Sequence, residues 1–158
     1  LAFHPSGNLL ASGGYRSVKL WQRGENVQRK AIPLDQPGTA TTLSPNGQLI
    51  AVALADHSIR LIQVADGQTV KTFTGHAAPV TGLQFAADGA QLFSAAKDKT
   101  VRLWTVADGQ PAGQLDTPAE ITTLLLAADG KRVYTAHTDN NVAGWNVPFD
   151  APKPAEGD

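Results

Sequence analysis

A turn glycine recurs at Gly7, Gly47, Gly89 and Gly130, in steps of 40, 42 and 41 residues. No other feature constrains the fold as strongly. A period of about 40 residues means one supersecondary unit repeated, each unit burying an apolar face against the next. Other residues hold register with these glycines. Trp104 and Trp145 follow Gly89 and Gly130 by fifteen residues, Trp21 follows Gly7 by fourteen, and Ile62 fills the slot fifteen after Gly47. Asp56, Asp98 and Asp139 each follow their glycine by nine. Residues 75–104 carry the fullest set: Gly75-His76, Asp88-Gly89, Ser94, Asp98 and Trp104.

Between these marks the pattern is all-β, about fifteen short strands separated by turn residues. The first repeat is read as strands at 1–3, 8–12, 17–21 and 27–32, with a short turn at Gly13-Gly14-Tyr15. The second takes 41–43, 49–54, 58–64 and 69–73. The third takes 80–85, 91–95, 100–106 and 111–115, and the fourth 121–126, 132–136 and 142–147. Asn-Gly and Asp-Gly pairs at 46–47, 66–67, 88–89, 108–109 and 129–130 supply the positive φ that tight hairpins need. The run Leu49 to Leu54 is apolar throughout, which predicts a strand covered on both faces. Residues 148–158 include three prolines and no strand period, and are expected to form a flexible tail.

With Gly-His, a turn aspartate and a closing tryptophan in register, the chain resembles WD-repeat (WD40) β-propellers of the bacterial type. The likeness runs from Leu1 to Val147. It implies about four four-stranded antiparallel blades, at roughly 1–34, 35–74, 75–116 and 117–147, with the first and last incomplete. Several blades depart from the pattern. Leu34 and Thr117 stand where the Gly-His histidine would be, and the three tryptophans are followed by Gln22, Thr105 and Asn146 instead of aspartate. Propellers use about four to eight blades, so an open arc, part of a larger ring, is expected, with self-association through its open blade edges.

Composition narrows the function classes. Thirteen basic and fourteen acidic residues are scattered to a net charge of −1, leaving no basic stripe to follow a phosphate backbone, so nucleic acid is not an expected partner. Cysteine is absent, which excludes disulfides and thiolate chemistry. No apolar run approaches the roughly 18–20 residues of a membrane span.

Ser94, His76 and Asp98 are the residue types of a nucleophilic triad, yet no Gly-x-Ser-x-Gly elbow or oxyanion loop accompanies them. The resemblance implies a different role: His76, Ser94, Asp98 and Trp104 as a buried structural hydrogen-bonded set. The fourth repeat keeps Thr135, Asp139 and Trp145 of that set, the second only Asp56, the first Ser12 and Trp21. The four histidines, His4, His57, His76 and His137, lack zinc-ligand spacing, and His137 with Asp139 is read as shaping a turn. No catalytic residue, metal or cofactor is expected.

The function expected is a non-catalytic scaffold for a protein or peptide partner. The alternative is a propeller accessory domain of a larger bacterial enzyme, whose catalytic part lies in another stretch. The resemblance implies recognition by loop positions beside the turn aspartate and at the start of each innermost strand. Those positions are Pro79, Thr81 and Lys97 in the third blade, and Glu120, Thr122 and Thr138 in the fourth. Pro37, Thr39 and Ala55 match them in the second, and Tyr15 falls near the matching loop of the first.

Overall fold

In the computed structural model, residues 1–4, 7–22 and 27–147 are described, with backbone alone at 27–30. The expected tail at 148–158 lies outside them. The described residues form fifteen strands and no helix, so there is no helix long and apolar enough to cross a membrane. The first sheet holds β1 (Ala2–Phe3), β2 (Leu9–Gly14), β3 (Ser17–Gln22) and β4 (Val27–Pro33), and the second β5 (Gly38–Leu43), β6 (Leu49–Leu54), β7 (Ile59–Gln63) and β8 (Thr69–Phe73). The third holds β9 (Val80–Phe85), β10 (Gln91–Ala96), β11 (Thr100–Thr105) and β12 (Pro111–Asp116). The fourth holds β13 (Ile121–Leu126), β14 (Arg132–His137) and β15 (Val142–Asn146). Within each sheet the strands are antiparallel and lie in chain order.

Turn chemistry explains why these hairpins form. Gly7, Gly47, Gly89 and Gly130 take φ between 67° and 71°, a region that costs a side-chain-bearing residue energy. Ahead of them Asn46, Asp88 and Asp129 accept backbone N–H bonds from Gln48, Ala90 and Lys131 at 2.9–3.0 Å, closing the turn locally. The same device recurs at Asp66 and Asp108. Bulges recur too: between Leu20 and Trp21, Leu61 and Ile62, and Leu103 and Trp104. Each adds twist at the same point of its sheet.

Two boundaries differ from the sequence reading by more than one residue. β2 runs on through Gly14 because Gly13 and Gly14 pair with Val18 and Ser17, which moves the turn to Tyr15 and Arg16. β5 starts at Gly38, not residue 41, because Gly38 pairs with Leu54 across a bulge.

The sheets stack face to face around three apolar layers, one between each consecutive pair. β6 shows why its sequence does not alternate. Ile50, Val52 and Leu54 pack into the layer shared with the first blade, and Ala51 and Ala53 into the layer shared with the third. β10 divides the same way, with Leu92 and Ala96 on one side and Phe93 and Ala95 on the other. The third and fourth blades approach closely at Gly82, where a Cβ would sit 2.9 Å from the Leu124 Cβ and 3.1 Å from its backbone nitrogen. The ends of the four inner strands line one cavity of about 460 Å³, with Phe3, Leu43, Phe85 and Leu126 on its wall.

The stack is an open arc: among the described residues no apolar layer joins the first blade to the fourth. Phe3 is 68% exposed on the first blade, and Leu125 and Val142 are 60% and 72% exposed on the last. Uncovered apolar sheet faces of this kind favour association. Sedimentation of the purified chain is expected to show self-association that rises with concentration; a monomer at all concentrations would count against it.

Candidate functional site

The polar residues singled out in the third blade meet in one buried relay. β10 places Ser94 and β11 places Trp104 on the same side of the sheet, and the loops before β9 and after β10 bring in His76 and Asp98. The Trp104 indole N–H donates to Ser94 Oγ at 2.8 Å, and Ser94 Oγ lies 2.7 Å from His76 Nε2. His76 Nδ1 is 2.8 Å from Asp98 Oδ2. The indole can only donate, so the serine hydroxyl accepts there and gives its own hydrogen to Nε2. That leaves Nδ1 protonated and donating to the carboxylate. Asp98 is itself held: Oδ2 also accepts the Ala77 N–H, and Oδ1 accepts the Thr100 N–H and hydroxyl.

Electrostatics follow from this geometry. Burial pushes the His76 imidazole below its ordinary value of 6.5, while the Asp98 carboxylate pulls the other way without overcoming it. Burial alone would raise Asp98, but the bonds from Thr100, His76 and Ala77 outweigh it and hold the carboxyl below its ordinary 3.8. Ser94 is fully buried, so no substrate reaches its oxygen in this fold.

The fourth blade contains a second relay that sequence reasoning missed. The Trp145 indole donates to Thr135 Oγ1 at 2.9 Å, and Thr135 Oγ1 lies 2.9 Å from His137 Nε2. His137 Nδ1 lies 3.2 Å from the Ala119 carbonyl, which can only accept, so Nδ1 is the protonated nitrogen. His137 supplies from the end of β14 the ring that His76 supplies from a loop. The signal in the sequence is its spacing: two residues after Thr135 on a strand, it shares that residue's face. Asp139 bonds Asn141 instead, and the Thr117 hydroxyl lies 3.0 and 2.9 Å from the Lys99 and Ala119 carbonyls. Among the described residues of the first blade only the tryptophan link is present, Trp21 to Ser12 at 2.9 Å. In the second, Leu34, Val52 and Ile62 fill the slots with apolar packing, and Asp56 caps Ser58.

The loop positions come together in pairs. The Lys97 N–H donates to the Pro79 carbonyl, that of Thr138 to Glu120 and that of Ala55 to Pro37, each at 3.0 Å. Lys97, Thr122, Thr138, Thr39 and Tyr15 are exposed, Tyr15 at 81%. Thr81 is turned inward, its hydroxyl 2.8 Å from the Ile121 carbonyl of the next blade. Among the described residues no three His, Cys, Asp or Glu side chains cluster as metal ligands would.

Stacked antiparallel sheets, three of four strands and one of three, arranged about a common cavity and in three cases tied internally by a tryptophan-to-hydroxyl bond, define a set of β-propeller blades. The family profile described as "WD domain, G-beta repeat" matches residues 1–22 and 67–105, so the chain carries WD40 repeats over those stretches. Over 77 residues, 49% of this chain and 13% of the relative, the chain is 35% identical to "Pre-rRNA-processing protein IPI3" of Mycosarcoma maydis. It is 39% identical to "COMPASS component SWD3" of Saccharomyces cerevisiae over 61 residues, 39% of this chain and 19% of that protein. It is 40% identical over 55 residues, 35% of this chain, to "Periodic tryptophan protein 2" of Arabidopsis thaliana, of which this stretch is 6%. The chain thus matches less than a fifth of the length of each. All three come from fungi or a plant, so the bacterial type expected from the sequence finds no support among them.

Proposed function

We propose that the chain is a non-catalytic scaffold that holds a protein or peptide partner through its propeller loops, with His76, Ser94, Asp98 and Trp104 serving structure. The observation that carries this reading is the division of labour within a blade. Its serine, histidine and aspartate are spent on an interior relay, whereas Lys97 and Thr138 stand exposed on paired loops and Thr122 at the start of β13. Loops held by a rigid frame are where such folds place recognition. One relative is named as a component of COMPASS, a multi-protein setting that agrees with such a role.

The test is a paired charge reversal. Lys97→Glu with Glu120→Lys is expected to abolish retention of a partner recovered by affinity capture, while Lys71→Glu on β8 leaves it intact. A footprint confined to the Asp66-Gly67 and Asp108-Gly109 turns would move recognition to the outer rim and sink this assignment.

A further inference from the structure

Arg102 lies half-buried on β11, and its Nε is buried without a hydrogen-bond partner. The guanidinium rests against Gly75, where a Cβ would come within 2.9 Å of Nη1. A buried N–H with no acceptor loses its hydration without replacement, so its presence in a well-packed blade requires a cause. Compensation then falls to the terminal N–H groups, yet Arg102 forms no ion pair among the described residues. Asp98 cannot serve, since His76, Ala77 and Thr100 engage both its oxygens.

The preceding repeat shows what the site is built for. Arg60 holds the same place 42 residues earlier, opposite Val52 as Arg102 is opposite Ser94. Its Nη2 donates to Asp35 Oδ2 at 2.7 Å. Asp35 lies 25 residues before Arg60, and the residue 25 before Arg102 is Ala77, which is exposed. The third blade therefore keeps the cation, lacks the acid and leaves the acid's place open to solvent. We propose that Arg102 is a recognition point for a side-chain carboxylate of a protein partner, seated over Ala77 as Asp35 is seated in the second blade. This deepens the scaffold reading and rests on it, but it does not depend on the loop positions named there.

The experiment follows the Arg102 Nε–H cross-peak of the isotopically labelled chain while an acetylated, amidated tetraglutamate peptide is added at low salt. The peak is expected to shift saturably, and tetraglutamine is expected to leave it unmoved. Arg102→Gln should weaken the peptide by about tenfold, the scale of a charged hydrogen bond. In Ala77→Asp the peak should already be displaced without peptide, and binding should weaken to a similar degree. A peak that stays still, or moves equally with tetraglutamine, overturns the site. Inorganic phosphate shifting it as far as the peptide does overturns the carboxylate assignment. Shifts confined to the Lys97 and Thr138 amides overturn the Arg102 site and leave the scaffold reading standing.

Discussion

Trp104→Ala is expected to destabilise the chain by about 3–5 kcal/mol, the range for removing a large buried aromatic side chain. Trp104 is only 2% exposed. Its ring sits 5.5 Å from that of Phe73 in the second blade and belongs to the apolar layer between the two sheets. Its N–H is also the first donor of the third blade's relay. Trp104→Phe separates these contributions: it retains most of the packing and strips one donor from Ser94, for a loss of about 1 kcal/mol. Denaturant titration of both variants checks the pair of values. Equal losses would mean that the hydrogen bond outweighs the packing.

The relay should also make stability depend on pH. His76 has a folded-state value below its ordinary 6.5, and Asp98 one below its ordinary 3.8. As pH falls below 6.5 the unfolded histidine takes up a proton that the folded one resists, so the unfolded state gains. Asp98 acts in the same direction at lower pH: its contribution is present above 3.8 and is lost as pH falls through its folded value. Acidification from pH 7 to 5 should therefore lower the denaturation midpoint of the wild-type chain. His76→Ala should flatten that slope, and His76→Ala or Asp98→Ala should each cost about 1–3 kcal/mol at neutral pH through the unpaired groups left behind. A variant that keeps its midpoint but loses a catalytic turnover would point back to hydrolase chemistry at Ser94.

Much of this architecture is legible in the sequence because turns impose hard steric demands. Gly47 and Gly89 must adopt positive φ, and their spacing alone marks out the sheets. The unalternating run of β6 announces a strand with no solvent face. Finer features escape for physical reasons. The strand boundary at Gly14 depends on pairing with Ser17, which no local preference reveals. His137 is hard to recognise as a relay member because it reaches Thr135 from within the same strand, whereas His76 reaches Ser94 from a loop 18 residues away. The open place beside Arg102 becomes visible only when the distance between Arg60 and Asp35 shows which residue the repeat has left out.

The divided strand β6 has a consequence for how such a chain can lengthen or be rearranged. Its two sides are unequal in bulk: the buried Ile50, Val52 and Leu54 project one way, and the buried Ala51 and Ala53, with the half-buried Leu49 at the strand's start, the other, where Phe73, Phe85 and Trp104 fill the layer. The cooperative unit is consequently the gap between neighbouring sheets, offset by half a repeat from the unit written in the sequence. Coupling of this nearest-neighbour kind makes blades poor interchangeable parts. A duplicated second blade would set the small side of one copy against the large side of the next, without Phe85 and Trp104, the rings that the third blade now supplies to that space. Gene duplication can therefore copy a repeat in one step, but each new seam has to evolve its own matching pair of surfaces.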